Sequence, residues 1–377
     1  MYKKTRFLTA CVLLSCVLAT GCSGNGVVNQ NEKATDTVVQ NEKTNEDMKT
    51  SENIQNRIVL TSEIKELEKG LSAVRFEGND NFEDFLNAGG ASSDADVIKF
   101  LSTKLLADID IDTSQIFGCS TIAVTDENGN HLFGRNFDWD SCDALVVVSK
   151  PEQGYASVST VNTNFITANA GFTVGLALKK DEIMTLASLY APLDGMNEAG
   201  FGISVNMISD SASIEQDTNK PDLTTTTAVR MLLNKAATVD EAITLLKQYD
   251  LHGSMGMMVH FAMTDTTGKS VVVEYIGNEM SVVETPIVTN FYLTEGEKYG
   301  IGTSQSHARY ETLENTLEQK KTMNRFQVRD TLDSVSKHNF DEYESTEWSA
   351  VFQLDEGVVD YYHRENYTKS YTIAIEN

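Results

Sequence analysis

The sequence predicts an α+β fold in which two antiparallel sheets are faced by layers of helices. Strand-like segments come in runs and helix-like segments come in runs, an order that argues against the alternating pattern of a parallel sheet. The 377 residues are 41% hydrophobic, which is enough for a large core. The Asn128-Gly129 pair joins two β-rich segments, at residues 120–125 and 131–137, and is typical of an antiparallel hairpin.

The first 22 residues have the pattern of an export signal. Three basic residues precede an apolar run at residues 7–20, which is too short for a comfortable membrane span. The run ends in the sequence LATGC, which resembles a bacterial lipoprotein cleavage site, with Cys22 as the lipidated first residue of the mature chain. An ordinary secretory signal is the alternative. We therefore expect an extracytoplasmic protein that is anchored to the bacterial cell membrane through a lipid.

Two further segments precede Cys119. Residues 23–56 are polar and almost without aromatic side chains, which predicts a disordered tether. In residues 57–118, which we call the pre-segment, apolar residues recur at helix-like spacings and predict a helical segment. The two apolar series are Ile58, Leu60, Ile64, Leu67 and Leu71, and then Val97, Phe100, Leu101 and Leu105.

After the first hairpin the predicted elements continue in blocks. Thr238 and Glu241 have the spacing of a capping box at the start of one helix. Strands are expected at residues 145–148, 156–161 and 202–208, helices at 225–236 and 239–249, and a strand meander at 257–264, 270–275, 280–284 and 287–292. Helices at residues 307–320 and 325–336 precede three terminal strands around residues 350, 360 and 372.

Charge and cysteine usage exclude several classes of function. The 55 acidic residues outnumber the 30 basic residues, and the net charge of −25 would repel the phosphates of a nucleic acid. Cys11 and Cys16 leave with the signal, so Cys119 and Cys142 remain with the acylated Cys22, too few for a disulfide framework. Cys119 and Cys142 could still form a disulfide with each other in an oxidising compartment. The chain lacks HExxH, CxxC, EF-hand and phosphate-loop patterns, so we expect neither a metal nor a cofactor.

The first hairpin carries the candidate chemistry. Cys119 begins its first strand, and Arg135 and Asp138 lie at the end of its second strand. Because the open ends of an antiparallel hairpin meet, these two side chains return close to the thiol. A thiol beside an arginine and an oriented carboxylate can form a reactive thiolate. A plain buried cysteine and a surface Arg–Asp ion pair are the alternatives.

Three motifs together resemble a known family. They are CSTIAVTDENGNHLFGRNFD at residues 119–138, GMNEAG at 195–200 and VTN at 288–290. The chain from Cys119 to its end resembles the linear amide hydrolases of the N-terminal-nucleophile superfamily, which include choloylglycine hydrolases, penicillin V acylases and acid-ceramidase-like amidases. The resemblance implies a four-layer αββα sandwich at residues 119–377. It also implies that the chain cuts itself between Gly118 and Cys119.

The resemblance implies a role for each candidate residue. The free α-amino group of Cys119, with a reference pKa of about 7.7–8.0, would act as base to its own thiol. Asp138 would orient that amino group, Arg135 would contact the thiolate, and Asn290 would donate to the tetrahedral oxyanion. Arg309 matches the late active-site arginine of the family. Asn290 could otherwise form a turn, and Arg309 could be an ordinary exposed residue.

Two features depart from the simpler family members. A second oxyanion residue aligns with Met207, and Asn206 lies one position earlier, so the strand register decides whether Asn206 reaches the site. The pre-segment resembles the acid-ceramidase-like arrangement, in which the excised piece can stay bound as a small subunit. A non-covalent association of this piece and a homo-oligomer both stay open. Asn197, in the GMNEAG motif, fits a turn.

The sequence therefore predicts a lipid-anchored amidase that hydrolyses a small N-acyl amide through a Cys119 thioester. Trp139, Phe165 and Tyr190 could line an apolar acyl pocket or belong to the core. Conjugated bile acids, phenoxyacetyl penicillin, N-acyl homoserine lactones and N-acyl amines are all open as substrates. The alternatives are an acyltransferase of the same superfamily, a non-catalytic binding lipoprotein, and a papain-like amidase. The papain-like alternative would pair a cysteine with His252, His260 or His307.

Overall fold

The computed structural model describes residues 57–105, 108–111, 118–169, 180–340 and 344–376. The predicted signal, its Cys22 and the predicted tether lie outside these ranges. Within them, no helix is both long enough and apolar enough to cross a membrane.

Strands and helices follow one another in blocks, as the sequence predicts. The described strands are β1 (Lys65–Glu68), β2 (Leu71–Gly78), β3 (Asp108–Ile111), β4 (Gly118–Thr125), β5 (His131–Trp139), β6 (Ala144–Pro151), β7 (Ser157–Asn162), β8 (Ile166–Asn169), β9 (Asp194–Asn197), β10 (Gly202–Met207), β11 (Asp222–Thr224), β12 (Asp250–His252), β13 (Val259–Thr264), β14 (Ser270–Ile276), β15 (Glu279–Glu284), β16 (Ile287–Val288), β17 (Ser345–Gln353), β18 (Val358–His363) and β19 (Tyr371–Ala374). The described helices are α1 (Phe82–Asn87), α2 (Asp94–Leu105), α3 (Lys180–Ser188), α4 (Thr225–Lys235), α5 (Val239–Leu246), α6 (Ser304–Gln319) and α7 (Arg325–Ser334).

Two large sheets contain most of the strands. The nine-stranded sheet has the order β1-β2-β6-β7-β9-β10-β13-β14-β15, and the six-stranded sheet has the order β16-β4-β5-β17-β18-β19. Neighbouring strands are antiparallel in both sheets, except that β2 and β6 run parallel. The prediction of an α+β fold with two antiparallel sheets is confirmed.

The two sheets pack face to face between two helix layers. Helix α4 packs on β9 and β10 of the nine-stranded sheet, and α6 and α7 pack on the six-stranded sheet. Glycines mark the close approaches: a Cβ on Gly134 would lie 2.7 Å from Val328 of α7, and a Cβ on Gly202 would lie 3.3 Å from Phe133 in the facing sheet. The order of layers is helix, sheet, sheet, helix, which confirms the predicted sandwich.

The apolar core follows this layering. One cluster fills the space between the sheets and the space under α4, and a second cluster joins the outer face of the six-stranded sheet to α6 and α7. On β4, Ile122 belongs to the second cluster, whereas Cys119 and Ala123 belong to the first. Since side chains alternate along a strand, Cys119 faces the nine-stranded sheet.

The hairpin of β4 and β5 forms as predicted. In its register Cys119 pairs with Phe137, and Gly118 pairs with Asp138. The turn closes through Asp126, whose side chain accepts from the backbone N–H groups of Asn128 and Asn130 at 2.8 and 2.9 Å. This geometry brings the ends of the two strands together.

The prediction for the pre-segment is wrong in its first half. Residues 58–71 form no helix; they lead into β1 and β2, and β2 pairs with β6 over its full length. Side chains on a half-buried edge of a sheet can match helical spacing by coincidence, and the pairing that decides the structure is distant in sequence. The second apolar series is helical as predicted, since it lies in α2 and buries Val97, Leu101 and Leu105.

Two further boundaries differ from the predictions. The strand expected at residues 287–292 ends at Val288, which leaves Asn290 in the following loop. The capping box expected at α5 is half formed. Thr238 Oγ1 accepts from the backbone N–H of Glu241 at 3.2 Å, but the carboxylate of Glu241 accepts from the backbone N–H of Ala237.

Candidate active site

Cys119 is buried at the second position of β4, with 2% of its surface exposed. The structure brings Arg135, Asp138, Asn290 and Arg309 into one hydrogen-bonded network around it. These are the residues that the sequence nominated. The network reaches the cysteine at two different atoms, the thiol sulfur and the backbone nitrogen.

Arg135 contacts the thiol. Its Nη2 donates to Cys119 Sγ at 3.4 Å and to the backbone oxygen of Val205 at 3.0 Å, and its Nη1 lies 3.0 Å from Asp194 Oδ2. Trp348 Nε1 donates to the same carboxylate oxygen at 3.0 Å. Both members of the Arg135–Asp194 ion pair are fully buried, so the surface ion pair considered from the sequence is wrong.

Asp138 and Arg309 form a second buried ion pair on the other face of the six-stranded sheet. Arg309 Nη1 donates to Asp138 Oδ2 at 2.5 Å, and Thr346 Oγ1 donates to Asp138 Oδ1 at 2.7 Å. Arg309 is only 6% exposed, although it lies in the first turns of α6. It is therefore a buried residue of this network and not an ordinary exposed one.

Asn290 joins this second ion pair to the backbone of the cysteine. Its Oδ1 accepts from the backbone N–H of Cys119 at 2.9 Å and from Arg309 Nη2 at 2.7 Å. Its Nδ2 donates to the backbone oxygen of Met207 at 2.7 Å. The side-chain amide thus holds the backbone nitrogen of the cysteine, and its own N–H donors are directed toward β10.

Burial disfavours the thiolate form of Cys119 in this structure. Burial raises the pKa of Cys119 above its ordinary value, and the carboxylate of Asp138 adds to this effect. The positive charge of Arg135 opposes burial without overcoming it. The sulfur must therefore lose its proton before or during any attack as a nucleophile.

Asn206 is buried on β10, on the face toward the sheet that carries Cys119. Gly202 and Ser204 share this face, and Gly202 approaches Phe133 of the facing sheet. Asn206 Oδ1 accepts from Ser204 Oγ at 2.9 Å, and its Nδ2 has no partner among the described residues. An unpaired buried donor costs stability and is available to a bound group.

A small apolar cavity of about 30 Å³ adjoins the sulfur. Its walls include three aromatic side chains and three methionines: Phe137, Trp139, Phe165, Met207, Met255 and Met257. Trp139 and Phe165 are therefore wall residues, as the sequence suggested. Tyr190 is not, because it packs against Phe82, Phe85 and Phe100 of the pre-segment.

Met255 connects this cavity to the pre-segment. Its backbone has a φ of 56°, a conformation that a non-glycine residue rarely adopts, and its N–H donates to Asp94 Oδ2 at 2.6 Å. Asp94 begins α2, and burial raises the pKa of its carboxyl group. A residue that precedes Cys119 thus holds one wall of the cavity in place. At its volume of about 30 Å³, the cavity has room for about one water molecule.

His260, one of the three histidines considered for a papain-like site, supports the Asn290 loop. The ring is fully buried, with Nε2 2.8 Å from the backbone oxygen of Thr289 and Nδ1 3.1 Å from Glu274 Oε1. The carboxylate of Glu274 also accepts from the backbone N–H groups of Leu293 and Thr294, both at 2.8 Å. Two core strands therefore hold the loop that presents Asn290.

The other two histidines also have partners other than a thiol. His252 Nε2 lies 2.9 Å from Asp222 Oδ1, and His307 Nε2 lies 2.8 Å from the backbone oxygen of Gly300. Cys119 and Cys142 are both free and buried, so no disulfide joins them. In the described part of the chain, no group of three or more His, Cys, Asp or Glu residues is placed to hold a metal ion.

Sequence reasoning missed the residues that hold the nominated ones. Asp194 directly precedes the GMNEAG motif, and this position is the one feature of the sequence that could have indicated its role. Thr346, Trp348 and Glu274 lie on strands without any local motif, far along the chain from the residues that they contact. Asn197, in the same motif, shapes a turn as predicted, since its Oδ1 accepts from the backbone N–H groups of Ala199 and Phe201.

Comparison with known proteins agrees with the resemblance. The family model of the linear amide C-N hydrolases, choloylglycine hydrolase family, matches residues 119–331. A bile salt hydrolase/transferase of Clostridium perfringens (strain 13 / Type A) is 27% identical over 177 residues, which are 45% of this chain and 51% of the relative. The chain thus spans about half the length of the curated relative that it matches.

Solved structures of two proteins are similar to this one. A conjugated bile acid hydrolase from Clostridium perfringens has a TM-score of 0.49 and 17% identity, covering 68% of this chain and 92% of that chain. A penicillin V acylase from Agrobacterium tumefaciens has a TM-score of 0.48 and 18% identity, covering 65% of this chain and 83% of that chain. The family match, which covers more than half of the sequence, assigns this protein to the linear amide C-N hydrolases of the choloylglycine hydrolase family.

Proposed function

We propose that this protein is an amidase that cuts its own chain between Gly118 and Cys119 and then hydrolyses a linear carboxamide through a thioester on Cys119. The observation that carries the proposal is that buried polar groups converge on both reactive atoms of one residue. Arg135 donates to the sulfur, and Asn290 accepts from the backbone nitrogen. Scission would turn that nitrogen into an α-amino group at a position already built to hold it.

The freed amino group supplies the base that the buried thiol requires. Its reference pKa of about 7.7–8.0 makes it a proton acceptor near neutral pH. The Asp138–Arg309 pair lies next to it and would fix its orientation, while Arg135 would stabilise the thiolate that forms. One residue then provides both nucleophile and base, which removes the need for a catalytic histidine.

The reaction would proceed in two steps, formation of a thioester on Cys119 and then its hydrolysis. The amino group takes the proton of the thiol, and the sulfur attacks the carbonyl carbon of the amide to give a tetrahedral oxyanion. The carbon–nitrogen bond breaks, the leaving amine takes the proton, and a thioester remains. Water then attacks the thioester and gives one proton to the amino group. The carbon–sulfur bond breaks, the ammonium returns that proton to the sulfur, and the product leaves as a carboxylate after losing its proton to solvent.

Two side-chain amides would donate to the oxyanion. Asn206 has an unpaired Nδ2 on the face toward Cys119, and Asn290 directs its Nδ2 toward the same strand. A comparable donor contributes about 2.7–4 kcal/mol to the stabilisation of a transition state. We propose Asn290 and Asn206 as the oxyanion hole.

We expect an apolar acyl group in the substrate, because aromatic and thioether side chains form the walls beside the sulfur. The relative from Clostridium perfringens is described as a hydrolase/transferase, which favours acyl transfer to an amine as a second candidate activity. Amine release from a conjugated bile acid, phenoxyacetyl penicillin, an N-acyl homoserine lactone and an N-acyl amine would separate the substrate classes. Formation of a new amide in the presence of an added amine would show the transferase.

The pre-segment would remain bound after scission. All eight residues of β2 pair with β6, and Arg75 Nη1 donates to the backbone oxygen of Ile375 at 2.9 Å. Phe82 and Phe85 are fully buried against Tyr190. These contacts support the role of a small structural subunit for the pre-segment.

The central experiment compares the two cysteines that remain after export. Intact-mass analysis of the active wild-type protein should give a chain that begins at Cys119. The variant Cys119→Ala should stay uncut and should release no amine. The matched control Cys142→Ala should be cut and active. Cys142 is also buried and free, but among the described residues its hydrogen bond is made by its backbone N–H, to Glu347. An active wild-type chain that is continuous through position 119 would refute the proposal.

Export and anchoring form a separate proposal from the signal-like sequence. We expect Cys22 to carry lipid and the protein to face away from the cytoplasm. Replacement of Cys22 by Ala should move the protein from the membrane fraction to the soluble fraction. An unchanged membrane fraction for that variant would contradict the lipid anchor.

A further inference from the structure

Gly118, the residue before the proposed scission, is in direct contact with a lysine. A Cβ at position 118 would lie 2.4 Å from Lys337 Nζ and 3.2 Å from Asp138 Oδ2. The first distance is far below any real contact of a Cβ, and the backbone here does not have a positive φ. The absence of a side chain at Gly118 therefore leaves room for the ammonium group beside the backbone at the proposed scissile bond.

Lys337 is unusually buried for a lysine, with 5% of its side chain exposed. Its Nζ forms an ion pair with Glu344, whose side chain is 26% exposed. Its backbone N–H donates at 2.8 Å to Thr346 Oγ1, the same hydroxyl that donates to Asp138. A buried ammonium is costly unless its charge is compensated. Glu344 compensates it here, but the ion pair does not explain why the ammonium lies beside the proposed scissile bond. That location calls for an explanation.

The chemistry of self-cleavage supplies one. Cys119 Sγ attacks the carbonyl carbon of Gly118, and negative charge develops on the carbonyl oxygen. The carbon–nitrogen bond then breaks, the nitrogen of Cys119 keeps the proton given up by the thiol, and a thioester links the two residues. Water hydrolyses this thioester, which restores the thiol and leaves a carboxylate on Gly118. Because Gly118 is buried, both the transient oxyanion and the final carboxylate need a nearby cation.

We propose that Lys337 assists self-cleavage by stabilising this negative charge, an inference that rests on the proposed function. Its ammonium touches the Gly118 backbone, and a flexible four-carbon stem lets it turn toward the carbonyl oxygen. Glu344 holds the ammonium before scission and is sufficiently exposed to be released to water when the Gly118 carboxylate takes its place.

The test follows the cleavage of newly made full-length chain with time by intact mass. Lys337→Met keeps the size of the side chain and removes its charge, so cleavage should slow by about 10-fold or more. Lys337→Arg restores the charge and should cleave within a few-fold of wild type. The matched control Lys269→Met removes another ion-paired lysine, the partner of Asp240, and should cleave at the wild-type rate.

A second variant separates an electrostatic role from a structural one. If Lys337 acted only through its ion pair, Glu344→Gln would slow cleavage as much as Lys337→Met. Under our proposal Glu344→Gln frees the ammonium and leaves the cleavage rate at or above that of wild type. Equal slowing in both variants, or wild-type cleavage in Lys337→Met, would overturn the inference and leave self-cleavage intact. A wild-type chain that is active but never cut would instead refute the proposed function.

Discussion

At the scale of the residue, Cys119 is held by two separate sets of side chains. Arg135, which is paired with Asp194, donates to the sulfur from the space between the sheets. Asn290, which accepts a hydrogen bond from Arg309, also accepts one from the backbone nitrogen of Cys119. Since the alternation of a strand sends neighbouring side chains to opposite faces, the two ion pairs stay apart and each can position one atom.

Glu347 provides a prediction about stability and pH. Burial raises the pKa of this carboxyl group to about 7, from an ordinary value of 4.5. Between these values the folded protein binds a proton that the unfolded chain releases, so stability falls as pH rises through this window and is constant above it. Glu347→Gln cannot ionise and should be more stable than the parent by roughly 1–3 kcal/mol at about pH 8, and equally stable at about pH 4.

The measurement is the urea unfolding midpoint of a Cys119→Ala background, in which the chain should stay uncut, with and without Glu347→Gln. The exposed Glu284, on the edge strand β15, gives the control Glu284→Gln, which should show no such pH-dependent difference. A Glu347→Gln variant that gained no stability at the higher pH would show that the carboxyl is ionised at no cost in the native state.

At the scale of the element, the loop that carries Asn290 depends on the strands beneath it. The predicted strand stops at Val288, and the chain then bonds to His260 of β13 and Glu274 of β14. Burial alone would raise the pKa of Glu274, but the hydrogen bonds from His260, Thr294 and Leu293 outweigh it and hold the pKa below its ordinary value. This carboxylate therefore stabilises the fold above about pH 4.5, and that contribution is lost as pH falls through its lowered pKa.

Glu274→Gln should disturb the position of Asn290, although residue 274 itself lies beneath the loop and would not contact the substrate. A glutamine places an NH₂ group where two backbone N–H donors and a histidine now converge, so the loop must shift. We expect kcat to fall by about 10-fold, while KM changes by no more than about 2-fold, because a small misplacement acts mainly on the transition state. Steady-state kinetics on the cleaved enzyme measure both constants.

The exposed Glu279 of β15 provides the control for this experiment, since Glu279→Gln makes the same chemical change on the neighbouring strand. It should retain wild-type kinetics. If Glu274→Gln raised KM and left kcat unchanged, the loop would act on substrate binding and not on the oxyanion.

The elements differ in how much of them the sequence could predict. The β4–β5 hairpin was predictable because its turn chemistry is local, and Arg135 and Asp138 followed from the hairpin. The strands at residues 65–78 were not, because β2 is defined by its pairing with β6, about seventy residues further along the chain. Local periodicity contains no information about such a partner.

At the scale of the whole molecule, the site is assembled from segments that are distant in sequence. Arg309 is 171 residues from Asp138, and Thr346 is 208 residues from it. The family resemblance predicted Arg309 and Asn290, but no motif marks Thr346, Trp348 or Lys337. Their positions depend on how the two sheets and α7 pack together, which no local sequence pattern contains.

Retention of the pre-segment gives a prediction at this scale. After cleavage the two pieces should elute together in size-exclusion chromatography and separate only under denaturing conditions. A chain that begins at Cys119, made without the pre-segment, would expose the edge of β6 and the aromatic face of Tyr190, and we expect it to aggregate. A soluble and active chain of this kind would show that the pre-segment is dispensable.

The parallel pairing of β2 with β6 bears on how long the enzyme would persist once cut. A severed chain that unfolds must find its other half again by a bimolecular encounter, which becomes slow at the dilution found outside a cell. The lifetime of the two-chain enzyme would then be set by the barrier to its first unfolding, and heat inactivation would be irreversible at low protein concentration.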